Sequence, residues 1–232
     1  MGDYFYQILR KIGSPFRYQY VGGDHLKMSG GALVVSNHQG AIGPIECILS
    51  IPRRFFPWII VDMVDPNKIS DYLFNDFVFP ALHIGGRMGK IVAKGIAKIA
   101  LPILKKIDCI PVDRHDIRFL GAFCYSLDIL RKGGALLIFP ENPDTPLNSQ
   151  SEMRSFMSGF LWLCPMYKRW MGKDLPVIPV AVCPTYRRVV VDEPLYYEDS
   201  GQPKQDMFKL SQFLERRINR LYTDILGCEF KG

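Results

Sequence analysis

Ala32-Leu33-Val34-Val35-Ser36-Asn37-His38-Gln39-Gly40-Ala41-Ile42-Gly43-Pro44 is the stretch whose reading decides the fold. It opens on an apolar run without alternation, the pattern of a strand buried on both faces in a parallel sheet covered by helices. The run gives way to Asn37-His38-Gln39, crosses a glycine-containing loop and reaches Pro44, which suits the first position of a helix running to about Ser50. A polar side chain at the end of such a strand sits where active sites of open α/β sheets collect.

The same grammar recurs downstream. Ala135 to Phe139 is a second buried-strand run, ending in Pro140-Glu141-Asn142, and Val177 to Val182 is a third. Phe56 to Val61, Cys109 to Val112 and Arg188 to Val191 read as further strands. Helical periodicity marks Tyr4 to Ile12, Lys90 to Ile107 (with a break expected at Pro102), His115 to Lys132 before Gly133-Gly134, and Met207 to Leu226. In the last of these Phe208, Leu210, Phe213, Leu214, Ile218 and Leu221 form the expected apolar side. Strands interleaved with helices imply an α/β fold with a largely parallel central sheet flanked by helices. With 232 residues and no repeat or Gly/Ser linker, residues 1–232 read as one domain.

Hydrophobic residues make up 48% of the chain and charged residues 22%, which argues against disorder. Six cysteines lie far apart with no Cys-x-x-Cys pair, and read as buried, reduced thiols. The net charge of +6 favours anionic partners, but the sequence carries no nucleic-acid-binding signature, so no nucleic-acid partner is expected. No apolar run is long enough for a transmembrane helix. Tyr4, Phe5, Ile8, Leu9 and Ile12, with Arg10 and Lys11, make residues 1–20 either an interfacial segment in a head-group layer or a helix packed on its own domain. The aromatic and basic stretch from Phe156 to Trp170 divides in the same way between bilayer contact and core.

Three constellations can carry chemistry. His38, at a strand end, can take a proton from a hydroxyl near neutral pH if its tautomer is fixed, although a lone histidine is more often structural. Glu46 is the nearest downstream acid; as the third residue of a helix starting at Pro44, its carboxylate would point back across the helix start towards His38. Arg114 follows Ile110-Pro111-Val112-Asp113 and can clamp a phosphate or pair with Asp113 or Asp116. Glu141 can accept hydrogen bonds from substrate hydroxyls or from loop amides, and Asn142 suits a tight, left-handed turn. Scattered histidines without ligand spacing imply no metal.

Together these blocks resemble the glycerophosphate and lysophospholipid acyltransferases. Asn37-His38 looks like that family's Asn-His block, Cys109 to Arg114 like its Gly-x-Ile-x-x-Asp-Arg block, and Leu137 to Asn142 like its Phe-Pro-Glu-Gly block. Leu175-Pro176-Val177-Ile178-Pro179-Val180-Ala181 is nearly identical to its fourth, and all four stand in order. The chain departs from the pattern at Gly43, where the family has an Asp five residues after the His. It also replaces the Gly-Thr-Arg that follows Phe-Pro-Glu with Asn142-Pro143-Asp144-Thr145-Pro146. A loop insertion that aligns Glu46 with the missing Asp would restore a carboxylate.

The resemblance implies a glycerolipid acyltransferase-like fold and transfer of a fatty acyl group from a thioester, acyl-CoA or acyl carrier protein, to a hydroxyl of a lysophospholipid, glycerol phosphate or related lipid acceptor. It implies His38 as general base and Glu46 as its orienting partner. Asn37, Arg114, Glu141 and Asn142 would hold substrate, with no cofactor beyond the co-substrate. It places the protein peripherally on the cytoplasmic face of a membrane. Two alternatives stand beside this: a non-catalytic lipid-binding homologue and an acyl-thioester hydrolase.

Overall fold

The computed structural model describes residues 2–26, 30–113, 120–149 and 151–227. The elements run α1 (Gly2–Ile12), β1 (Gln19–Val21), β2 (Ala32–Ser36), α2 (Ile42–Ser50), β3 (Phe55–Ile60), α3 (Ile69–Leu73), a π-helical turn (Phe74–Val78), α4 (Phe79–Leu82), α5 (Gly86–Lys106), β4 (Ile110–Val112), α6 (Leu120–Arg131), β5 (Ala135–Ile138), α7 (Leu163–Met171), β6 (Val177–Cys183), β7 (Arg188–Val191) and α8 (Pro203–Gly227). The strands form one seven-stranded sheet in the order β1-β7-β6-β2-β5-β3-β4. Five neighbouring strands, β6 to β4 in that order, are parallel. β7 runs against β6, and β1 joins β7 in parallel at the edge.

Side chains alternate across this sheet, because successive Cβ atoms of a strand point to opposite faces. Leu33 and Val35 of β2, Leu136 and Ile138 of β5, and Val177 and Ala181 of β6 pack under α6, α7 and α8. Ala32 and Val34, Ala135 and Leu137, and Ile178 and Val180 pack under α1, α2 and the last turns of α5. Burial on both faces is why these strands read as unbroken apolar runs. A third, smaller apolar cluster lies apart from the sheet, where Ala93 and Ala97 of α5 meet Ile69, Leu73 and Val78.

Several expectations are corrected. α5 continues through Pro102 instead of breaking there. The missing proline N–H leaves the carbonyl of Lys98 without its helical partner, and Lys98 is exposed, so water can solvate that carbonyl. On α8 the buried row is Met207, Ser211, Leu214, Ile218, Tyr222 and Ile225. Phe208 and Phe213 fall off this i, i+4, i+7 row and face outward. Cys124 is exposed rather than buried, and Cys228 lies outside the described residues. The expected helix from His115 is described from Leu120 onward.

The N-terminal helix packs on its own domain along one face and leaves apolar side chains exposed on the other. Tyr6 is buried with Phe5 and Leu9 beside it, while Tyr4, Ile8 and Ile12 form an exposed stripe. In the Phe156–Trp170 stretch the core reading prevails for Phe160, Leu161, Leu163 and Tyr167. Trp170 is exposed, and its ring lies against the Arg131 guanidinium, 5.5 Å from its centroid. No helix among the described residues is long and apolar enough to cross a membrane.

Candidate active site

The sheet register builds the site. β2 and β5 pair with Val35 opposite Ile138. Continuing that register by three residues sets His38 opposite Glu141, just beyond the carboxyl ends of two central strands.

Asn37 is what allows β2 to end there. It is fully buried; its side-chain Nδ2 donates to the Val182 carbonyl at 2.9 Å, and its Oδ1 accepts the Val182 amide at 2.8 Å. The side-chain amide thus imitates a backbone ladder pair with β6 and frees the main chain to turn away. Both ends of that amide are engaged, so Asn37 holds the strand end rather than reaching out to a substrate.

His38 follows as an exposed residue. Its backbone N–H donates to Glu141 Oε1 at 2.6 Å, and its ring meets Phe139 edge-on with centroids 5.3 Å apart. Gln39 and Gly40 both take left-handed backbone conformations, φ 44° and 60°, which turn the chain sharply into α2. Gln39 Nε2 donates to the carbonyls of Ser151 and Glu152, each at 3.4 Å, and so pins this turn to the 151–156 segment.

The structure places the two candidate carboxylates differently. Glu46 is 5% exposed, and Ser50 Oγ donates to its Oε2 at 2.9 Å, with Ser50 accepting the Tyr18 amide in turn. α2 starts at Ile42, two residues before Pro44, so Glu46 stands past the first turn. The expectation that it orients His38 is corrected: its hydrogen bond runs to Ser50. Position 43, where the acyltransferase pattern has an Asp, accepts no side chain on this backbone. A Cβ there would lie 2.1 Å from the His38 carbonyl oxygen and 2.8 Å from that of Asn37.

Glu141 is the carboxylate that touches the histidine, through the main chain. Its second oxygen accepts the Arg154 amide at 3.0 Å, so it bridges the two loops that frame the site. Burial pushes its pKa up, and the two amides together with the Arg154 charge pull against that shift. Of the two roles open to Glu141, loop amides occupy it in this structure. Asn142 makes a tight turn without a left-handed conformation: its Oδ1 accepts the Asp144 amide at 3.1 Å, and its carbonyl accepts Thr145 Oγ1 at 2.9 Å. Asp113 is exposed at the end of β4, and Arg114 lies outside the described residues.

Sequence reasoning missed Arg154. Besides its amide, its guanidinium donates to the carbonyls of Pro143 and Thr145, bracing the turn beside Glu141. It belongs to an irregular segment with no motif, and only the folded loop brings it to Glu141. Among the thiols, burial raises Cys47, Cys109 and Cys164 to about 12, so these three offer no thiolate nucleophile at neutral pH.

No family model matches the chain, and no curated protein matches its sequence. Among solved structures the fold is similar to that of the 1-acyl-sn-glycerophosphate (LPA) acyltransferase PlsC from Thermotoga maritima, with a TM-score of 0.56 at 14% identity. The match covers 96% of this chain and 81% of that one. At this identity the likeness is one of fold.

Proposed function

We propose that this protein is an acyltransferase that moves a fatty acyl group from a thioester, acyl-CoA or acyl carrier protein, to a hydroxyl of a lysophospholipid, glycerol phosphate or related lipid acceptor. The observation that carries the reading is the exposed His38 at the carboxyl end of a central strand, its main chain fixed by Glu141, in a fold like that of an LPA acyltransferase. His38 removes the acceptor's hydroxyl proton as the oxygen attacks the thioester carbonyl. The tetrahedral intermediate collapses with loss of the thiolate, which takes the proton back from the imidazolium. Backbone amides near the His38 loop hold the developing oxyanion. Glu141 acts as a positioning residue, Arg114 receives an acceptor phosphate, and the enzyme works peripherally on the cytoplasmic face of a membrane.

A second reading draws on one observation. Glu46 is engaged by Ser50 and position 43 admits no carboxylate, which suits a lipid-binding homologue without turnover. Purified protein incubated with a long-chain acyl-CoA or acyl carrier protein and a lysolipid mixture separates the two. Acylated lipid from wild type and a loss of at least a hundredfold in His38→Ala, with unchanged circular dichroism, supports transfer. Retained activity in His38→Ala overturns the role of His38, and lipid binding without turnover in wild type selects the second reading. Free fatty acid formed without an acceptor identifies a hydrolase.

A further inference from the structure

α5 has 21 residues, of which Arg87, Lys90, Lys94, Lys98, Lys105 and Lys106 are basic and none is acidic. All six cations are exposed. Among the described residues Arg87, Lys90, Lys94 and Lys98 enter no ion pair; Lys204, Lys209 and Arg216 of α8 enter none either, but they share their helix with Asp206, Glu215 and Asp224, whereas α5 has no acid at all. Unpaired like charges on one helix repel one another and lower its stability, so a cationic row of this kind is favoured once an anionic surface covers it.

The same outward face is oily. Met88, Ile91 and Ile99 are 64%, 62% and 68% exposed, although the helix buries Gly89, Ala93 and Ala97 on its other side. At 100° per residue, Ile91 falls beside the row of Arg87, Lys94 and Lys98, and Met88 and Ile99 lie about a quarter turn further round on the same side. An acidic protein would be met by the cations alone. A head-group layer takes both, with phosphates on the cations and acyl chains on the isoleucines.

The helix is also set apart from the sheet. Only its end, Ile103 and Leu104, joins a sheet-side cluster, while the rest packs on α3 and the π-helical turn. α3 follows the site-side end of β3, and α5 returns from there to the start of β4, so its first turns begin on the side of His38.

We infer that the outward face of α5 docks the protein on an anionic lipid bilayer and so presents the His38 edge to substrate in the membrane. The inference rests on the acyltransferase reading for its purpose, but binding is measured without turnover, so the two fail separately.

Co-sedimentation with phosphatidylcholine vesicles, with and without phosphatidylglycerol, tests it on the full chain. Wild type is expected to prefer the anionic vesicles. Arg87→Gln/Lys90→Gln/Lys94→Gln/Lys98→Gln should lower that affinity by roughly fivefold per charge, more than a hundredfold in all at low salt. Ile91→Gln/Ile99→Gln should lower it about tenfold. The matched α8 variant Lys204→Gln/Lys209→Gln/Arg216→Gln/Arg220→Gln should bind within about twofold of wild type. His38→Ala should bind as wild type does. Equal losses from α5 and α8 would show an effect of net charge only and overturn the inference. So would unchanged binding of the α5 variant, or loss of affinity for an acidic carrier protein with vesicle binding intact. Unaltered circular dichroism and thermal unfolding of each variant exclude misfolding as the cause.

Discussion

Gly43 at the start of α2 and Gly89 in the hairpin that α3 and α5 form meet the same obstacle in different surroundings. A Cβ at Gly43 would lie 2.1 Å from the carbonyl oxygen of His38, and one at Gly89 would lie 2.2 Å from that of Ile84 and 2.6 Å from the Phe74 ring. Around Gly43 the neighbours are fixed from several directions: Asn37 is tied to β6, His38 to Glu141 and Gln39 to Ser151. Around Gly89 they belong to a small cluster of its own, with no strand in it. The proposed chemistry thus lies where the backbone is tied on several sides, and the proposed lipid-facing surface lies on a separate apolar cluster.

Adding one methyl group in each region tests that contrast. Gly43→Ala should have the larger effect, destabilising the fold by about 3 kcal/mol, because the colliding atoms are backbone held on both sides. Urea denaturation measures the loss, and acyl transfer should fall with it as His38 is displaced. An Asp at the same place adds a buried carboxylate facing two carbonyl oxygens, so restoring the acyltransferase pattern in this chain should harm it further. A Gly43→Ala protein of wild-type stability and activity would break the comparison at its stronger end.

Gly89→Ala should cost less, about 1–2 kcal/mol, since part of the clash is with the Phe74 ring and not with backbone. Its signature is local. Hydrogen exchange should quicken across residues 86–101 while the amides of β2, β5 and β6 keep their protection, and turnover of a water-soluble, short-chain thioester should be unchanged. Protection lost equally in both regions would mean that hairpin and sheet unfold as one unit.

The same division decides what could be read in advance. β2, β5 and β6 were legible because burial on both faces leaves an unbroken apolar run with turn-forming residues at its ends. β1 was missed: Gln19-Tyr20-Val21 is three residues at a sheet edge, with no period to detect. α3, the π-helical turn and α4 were missed because Asp71, Asn75, Asp76 and Pro80 interrupt any 3.6-residue pattern, and for the first two packing on α5 supplies the order instead. In the site, His38 and Glu141 were legible as strand-end residues. Their contact needed the register of two strands 103 residues apart. The Glu46–Ser50 bond is an i, i+4 pair that the sequence already spells out, and giving α2 a start at Pro44 hid it.

The smallest effect should come from Glu141, and it separates positioning from proton transfer. Burial raises its pKa, so the folded protein holds that proton to a higher pH than the unfolded chain does. Its contribution to stability is therefore fully present below the ordinary glutamate range and is lost as pH rises through the raised value. Glu141→Gln should remove this decline, leaving a flatter stability profile over mildly acidic pH in urea titrations. The glutamine can accept only one of the two amides, from His38 or from Arg154, and its NH2 group faces the other. Turnover should then fall several-fold, while the limb of the rate profile set by His38 keeps its midpoint. A shifted midpoint would mean that Glu141 acts on the imidazole itself, and the rigid edge would then owe its chemistry to charge as well as to position.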